Sequence, residues 1–112
     1  MIVATADTIH HGVGYKTSEA RDETIAETEA FARARIEEQM GALARAEFAV
    51  FARLCAQDRS DFGDAGPVLA TLLPNAGWTL EDLCFVDYSD VFSCPRPTWV
   101  AAGQIRVQPR DA

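Results

Sequence analysis

His10 and His11 are the only histidines in this chain. With Asp7 three residues ahead they form the one stretch where imidazole and carboxylate side chains could begin a metal site. Adjacent residues on a strand point to opposite faces, so both rings reach one ion only if the backbone bulges, for which Gly12 and Gly14 leave room. An ordinary surface or turn role is the expectation, and no metal or cofactor is assigned. Asp87 and Asp90 resemble a catalytic carboxylate pair. Their separation of three puts them on opposite faces of a regular strand, whereas paired-carboxylate chemistry needs both groups to converge on one substrate.

Other candidate motifs carry less. Gly12-Val13-Gly14 lacks the third glycine of a dinucleotide fingerprint. Asp61-Phe62-Gly63 has the letters of a kinase metal motif but not the upstream lysine and catalytic loop that give them meaning. Cys55, Cys84 and Cys94 contain no Cys-x-x-Cys spacing and read as small core hydrophobes, with Cys94, beside Pro95 and Arg96, the nearest to an exception.

The charge pattern is more informative. The net charge is -7, and between Ser60 and Pro95 stand Asp61, Asp64, Glu81, Asp82, Asp87 and Asp90 without one Lys, Arg or His. The same segment holds Leu69, Leu72, Leu73, Trp78, Leu83, Phe85, Val86, Tyr88, Val91 and Phe92, apolar mass enough to fold. The pattern therefore describes an acidic surface on a core rather than an acidic tail. Such a surface repels nucleic-acid backbones and anionic membranes and attracts basic protein surfaces.

At 112 residues the chain is long enough to fold as one domain without disulfides or metal. An odd cysteine count, with no basic leader and no long apolar run at the N-terminus, points to the cytoplasm and away from a membrane. No internal repeat or low-complexity segment is present.

The elements that must position these residues follow from periodicity. Ile2 to Ile9 reads as a strand leading into the glycine turn at 12–14. Thr17 or Ser18 supplies an N-cap, with Glu19, Asp22 and Glu23 in the first turn of a helix. From there Ile25, Ala32, Ile36, Met40, Leu43, Val50 and Leu54 hold one face at 3.6-residue spacing, across Gly41, to about residue 56. Either one long or bent helix or a hairpin broken at Gly41 satisfies that stripe. Asp58 to Gly66 reads as a loop, Pro67 to Leu73 as a short helix, and Thr79 with Asp82 as the cap of one further turn. Cys84 to Phe92 and Trp99 to Val107 read as two strands joined by the rigid Ser93–Pro97 connection. The fold class is α+β: N-terminal strand, long helix or helical hairpin, short helices, and a C-terminal β-hairpin in a small antiparallel sheet.

The functional expectation is a small, acidic, non-catalytic binding module or inhibitor that engages a basic, nucleic-acid-binding surface of a partner protein. Its contact residues are Asp61, Asp64, Trp78, Asp87, Tyr88 and Asp90, with aromatic anchors beside a charged rim. Phage-like inhibitors encoded by mobile elements act this way as a class, which is an analogy and not a family resemblance. Two rivals stand beside it. A homodimer would bury the stripe of Ile25, Ile36, Met40, Leu43, Val50 and Leu54 against a second copy. A small-ligand or metal-dependent enzyme would use His10, His11, Asp87 or Cys94.

A surface of this charge should not bind duplex DNA. A mobility-shift assay at about 150 mM salt is expected to show no binding at micromolar protein, and micromolar binding would remove the acidic-surface reading.

Overall fold

Two core clusters set the architecture. The computed structural model describes residues 5–110, so Ile2 to Ala4 of the expected first strand lie outside the described residues. Strand β1 (Ile9–Gly12) is followed by a single 3-10 turn and then by helices α1 (Ile25–Ala44), α2 (Phe48–Gln57) and α3 (Phe62–Leu72). Strand β2 (Ala76–Asp87), the one-turn helix α4 (Ser89–Phe92) and strand β3 (Thr98–Pro109) complete the chain. The strands form an antiparallel sheet in the order β1-β3-β2. The α+β class and the C-terminal hairpin thus stand as expected.

Helix α1 starts later than Thr17. The Thr17 hydroxyl is engaged elsewhere, accepting the Gly12 N–H at 2.8 Å, and the helix begins instead behind a capping box. Thr24 Oγ1 accepts the Glu27 N–H and Glu27 Oε2 accepts the Thr24 N–H, both at 3.1 Å. Glu23, expected in a first helical turn, lies before it. Its carboxylate accepts hydrogen bonds from the Trp99 indole at 3.1 Å and the Thr28 hydroxyl at 2.6 Å and pairs with Arg21 at 2.9 Å.

The stripe belongs to a hairpin, and its break lies beyond Gly41. Gly41 sits inside α1, and the turn falls at Arg45-Ala46-Glu47, with Ala46 left-handed at φ 54°. The Glu47 N–H bonds the Ala42 carbonyl and the Ala46 N–H the Leu43 carbonyl, the two reverse bonds of a Schellman ending. Helix α2 ends the same way, with Arg59 left-handed and Ser60 bonded back to Cys55. Neither ending uses the glycine or asparagine that would announce it in a sequence.

Helix α3 begins five residues before Pro67, which stands inside it where Asp58 to Gly66 was read as loop. Ser60 Oγ accepts the Phe62 N–H at 3.1 Å and covers one free donor at its start. Gly66 allows α3 to pack closely, since a Cβ there would lie 2.7 Å from the Phe51 ring and 3.0 Å from Leu43 Cδ1.

Strand β2 takes up the segment read as a capped turn at Thr79–Asp82. Its register slips between Leu80 and Asp82, leaving Glu81 as a bulge. The bulge reverses the facing of everything before it. Trp78 and Leu80 on one side and Leu83 and Phe85 on the other all pack on the core as a result. The strand stops at Asp87 because Asp87 Oδ1 accepts the Ser89 N–H at 2.8 Å and starts the turn of α4, so Tyr88 to Phe92 are not strand.

Ile9, Ala32, Ile36, Met40, Trp99 and Ala101 form the cluster between α1 and the sheet. Ala42, Leu43, Phe51, Leu54, Cys55 and Phe62 form the cluster among the helices, and Trp78 and Ile105 touch both. Of the cysteines only Cys55 is core; Cys84 is exposed, which corrects its reading as a core hydrophobe, and Cys94, the nearest to an exception, is half-buried. Among the described residues no helix is long and apolar enough to cross a membrane.

Two outcomes follow from these contacts. Ala46→Gly should stabilise the chain by about 0.5–1 kcal/mol, because an L side chain in the left-handed region costs roughly 1–2 kcal/mol and glycine's extra unfolded-state freedom returns only part of that. Urea denaturation would read it, and an unchanged or lower midpoint would contradict it. For Glu23, burial pushes the carboxyl up, but the hydrogen bonds from Thr28, Arg21 and Trp99 outweigh it and hold the pKa below the ordinary 4.5. A depressed folded pKa contributes stability above the unfolded value that is lost as pH falls through the folded one. Glu23→Gln should therefore be less stable than wild type at about pH 7 and lose less between about pH 5 and pH 3. Parallel stability-against-pH curves would contradict this.

Candidate protein-binding face

Helix α1 covers one face of the sheet and leaves part of the other open. On the open face His10, Val100 and Val86 lie directly opposite one another across β1, β3 and β2, with Ala102 and Cys84 as the next pair. Val86 is 52% exposed. The 3-10 turn after β1 carries Tyr15 back over His10, their ring centroids 5.1 Å apart. Gly12 makes this return possible, at φ 115° and so close to the Pro97 carbonyl that a Cβ would overlap it.

From Tyr15 the aromatic contact continues. Tyr15 meets Phe92 edge to face at 5.8 Å, and Phe92 meets Tyr88 at 5.9 Å. Helix α4 presents Val91 at 72% exposure and Phe92 at 49% beside this run. The run thus joins β1, the glycine turn, the end of β2 and α4 into one semi-exposed apolar strip. Burial raises the Tyr15 pKa, and the proximity of Tyr88 and the Asp7 carboxylate raises it further, in keeping with its place in the middle.

Carboxylates stand at both ends. At one end are Asp7 and Asp61, the Asp61 Oδ2 lying 3.8 Å from His10 Nε2. At the other are Asp87 and Asp90. Asp90 is exposed, whereas Asp87 is engaged twice, accepting from Ser89 and pairing with Arg96 at 2.9 Å. The hydrogen bonding with Ser89, with Arg96 nearby, holds the Asp87 carboxyl below its usual range.

The residues expected to bind a partner divide accordingly. Asp61, Asp87, Tyr88 and Asp90 fall on or beside the strip. Asp64 is exposed one turn on in α3, and no contact joins it to the aromatic run. Trp78, expected as an exposed anchor, is half-buried between the two core clusters with its ring 6.5 Å from Phe62, because the Glu81 bulge turns it inward. The dimer stripe is corrected as well. Ile36, Met40, Leu43 and Leu54 are buried in the chain's own core, Val50 packs against it, and Ile25, at the first position of α1, is 74% exposed. Tyr15, Val91 and the outward placement of His10 were not read as parts of a site. The turn at Asp87 ends the strand expected over Cys84 to Phe92 and carries Val91 and Phe92 into α4.

His11 lies on the other side of the sheet, buried between the Phe31 and Trp99 rings at 4.5 and 4.9 Å. Burial lowers its pKa, and its Nε2 has no partner among the described residues. The two histidines therefore diverge as a regular strand requires. Compared with protein-family models, curated proteins and solved structures, the chain finds no match in any of the three.

Proposed function

We propose that the chain is a non-catalytic protein-binding module whose acid-rimmed aromatic strip engages a basic surface of a partner protein. The observation that carries this is the unbroken ring contact from His10 through Tyr15 and Phe92 to Tyr88, with exposed Val86 and Val91 beside it and carboxylates at both ends. An apolar centre ringed by charge is the usual anatomy of a protein interface, in which the centre supplies affinity and the rim steers encounter. A partner with Lys or Arg around an apolar patch fits it, including one that otherwise binds nucleic acid. The rival dimer through the α1–α2 stripe loses its physical motive, since that surface is already covered by the sheet and by α3.

The Asp90 and Val91 side chains are exposed and enter no hydrogen bond or ion pair among the described residues, so the double variant Asp90→Lys/Val91→Lys should fold normally. Affinity capture from the native host with wild-type and variant chains is expected to retain a partner on the wild type alone. With that partner in hand, association should slow steeply with rising salt for wild type and weakly for Asp90→Lys. A wild type that retains nothing the variant loses, or equal rates and salt slopes, overturns the proposal.

A further inference from the structure

The acidic end of the strip contains three acceptor atoms facing one another. Asp7 arrives on the segment before β1, His10 on β1, and Asp61 on the residue that opens α3. One ligating atom from each lies within 4.8 Å of the others. Backbone bonds lock the three segments together: the Asp61 N–H bonds the Asp7 carbonyl at 2.9 Å, and the His10 N–H bonds the Asp58 carbonyl at 2.8 Å. The cluster is therefore set by the fold rather than by long flexible side chains.

The second observation concerns the ring. His10 Nδ1 lies 2.5 Å from the Arg59 carbonyl oxygen, which can only accept, so Nδ1 carries the proton. That leaves Nε2 as the ring atom turned to Asp61, at 3.8 Å. One imidazole nitrogen and one oxygen from each aspartate thus converge within 4.8 Å. A ring N–H held by a backbone carbonyl, with the other nitrogen turned to carboxylates, is how a metal-ligating histidine is ordinarily oriented.

We infer that Asp7, His10 and Asp61 form a binding site for a divalent first-row metal ion. One imidazole nitrogen with two carboxylates suits Zn²⁺, Mn²⁺ or Co²⁺ better than Mg²⁺ or Ca²⁺, which prefer all-oxygen shells. Bond lengths near 2.0–2.2 Å require the two carboxylates to close in, which exposed Asp7 and Asp61 are free to do. His10 is already fixed, and remaining coordination positions open to solvent or to a group from the partner. This uses the rim of the proposed binding face but does not depend on it, since Asp90 and Val91 lie at the other end.

The test is titration of the purified chain with Zn²⁺ and, separately, Mn²⁺, by calorimetry and by ¹⁵N spectra of the histidine rings. One ion per chain is expected, with a large shift of His10 Nε2 and little change at His11. Asp61→Asn, Asp7→Asn and His10→Gln should each weaken binding about tenfold or more, with melting temperatures of the isosteric Asn variants close to wild type. Failure of both ions to bind, binding that persists in Asp61→Asn and His10→Gln, or an unmoved His10 Nε2 at saturation overturns the site. The wild-type ring spectrum alone decides the matter should a variant fail to fold.

Discussion

A buried polar knot at Asp58 holds the molecule together. Asp58 closes α2 and is almost fully buried, yet carries a charge that low-dielectric surroundings would penalise by several kcal/mol if it were alone. Arg35 from α1 meets its Oδ1 at 2.7 Å, and Gln39, one turn on, donates to Oδ2 at 3.0 Å and to the Thr8 carbonyl at 3.2 Å. The Asp58 carbonyl in turn accepts the His10 N–H. One carboxylate thereby joins α1, the end of α2 and the entry to β1. Removing any partner would leave a buried polar group unsatisfied, which is costlier than the net worth of the bond itself. The knot fixes the relative places of Asp7, His10 and Asp61, so the geometry of the acidic cluster is a consequence of the core.

The sequence made legible what depends on period and hid what depends on backbone exceptions. Helical spacing from Ile25 to Leu54 gave the two long helices, because apolar faces at 3.6 residues bury the same way wherever the chain turns. The turn itself was not legible, since Ala46 and Arg59 adopt left-handed conformations that glycine normally marks. Pro67 misled in the opposite sense, as a residue that usually opens a helix is carried inside one where packing against the Leu43 and Phe51 cluster offsets the lost hydrogen bond. The strand from Trp99 to Val107 was plain because Trp99, Ala101, Gly103, Ile105 and Val107 share one face at period two. Its partner was not, because the bulge at Glu81 puts Trp78 and Leu80 in register with core positions that simple alternation gives to solvent.

The candidate face was legible in its charges and not in its rings. Asp61, Asp87, Tyr88 and Asp90 stand out from the charge pattern, but nothing in their spacing says that Tyr15, far away in sequence from all four, fills the space between them. That contact needs the return of the chain at Gly12, where the Val13 N–H bonds the Pro97 carbonyl at 2.7 Å and ties the glycine turn to the loop between the final strands. Long-range packing decides it, and a single sequence does not encode such pairs locally.

The distribution of carboxylates sharpens what the net charge means. Glu23 and Asp58 are buried in hydrogen-bonded pairs, Glu81 faces Arg106 at 2.6 Å, and Asp87 faces Arg96. Arg96 and Arg106, two of the three C-terminal cations that could have attracted a nucleic-acid backbone, are thus already paired. Lys16, Arg21, Arg35 and Arg59 line a hollow on the α1–α2 side with Asp58, and Arg21 and Arg35 there are neutralised by Glu23 and Asp58. What remains without a Lys or Arg partner among the described residues includes Asp7, Asp61, Asp64, Asp82 and Asp90, of which Asp7, Asp61 and Asp90 border the aromatic strip. Glu19, Asp22, Glu37 and Glu38 also lack such a partner, so the negative surface extends along α1 and the segment before it as well as around the strip. The aromatic strip is therefore bordered at both ends by carboxylates that no Lys or Arg neutralises among the described residues, so its acidic rim survives the pairing that removes Arg96 and Arg106.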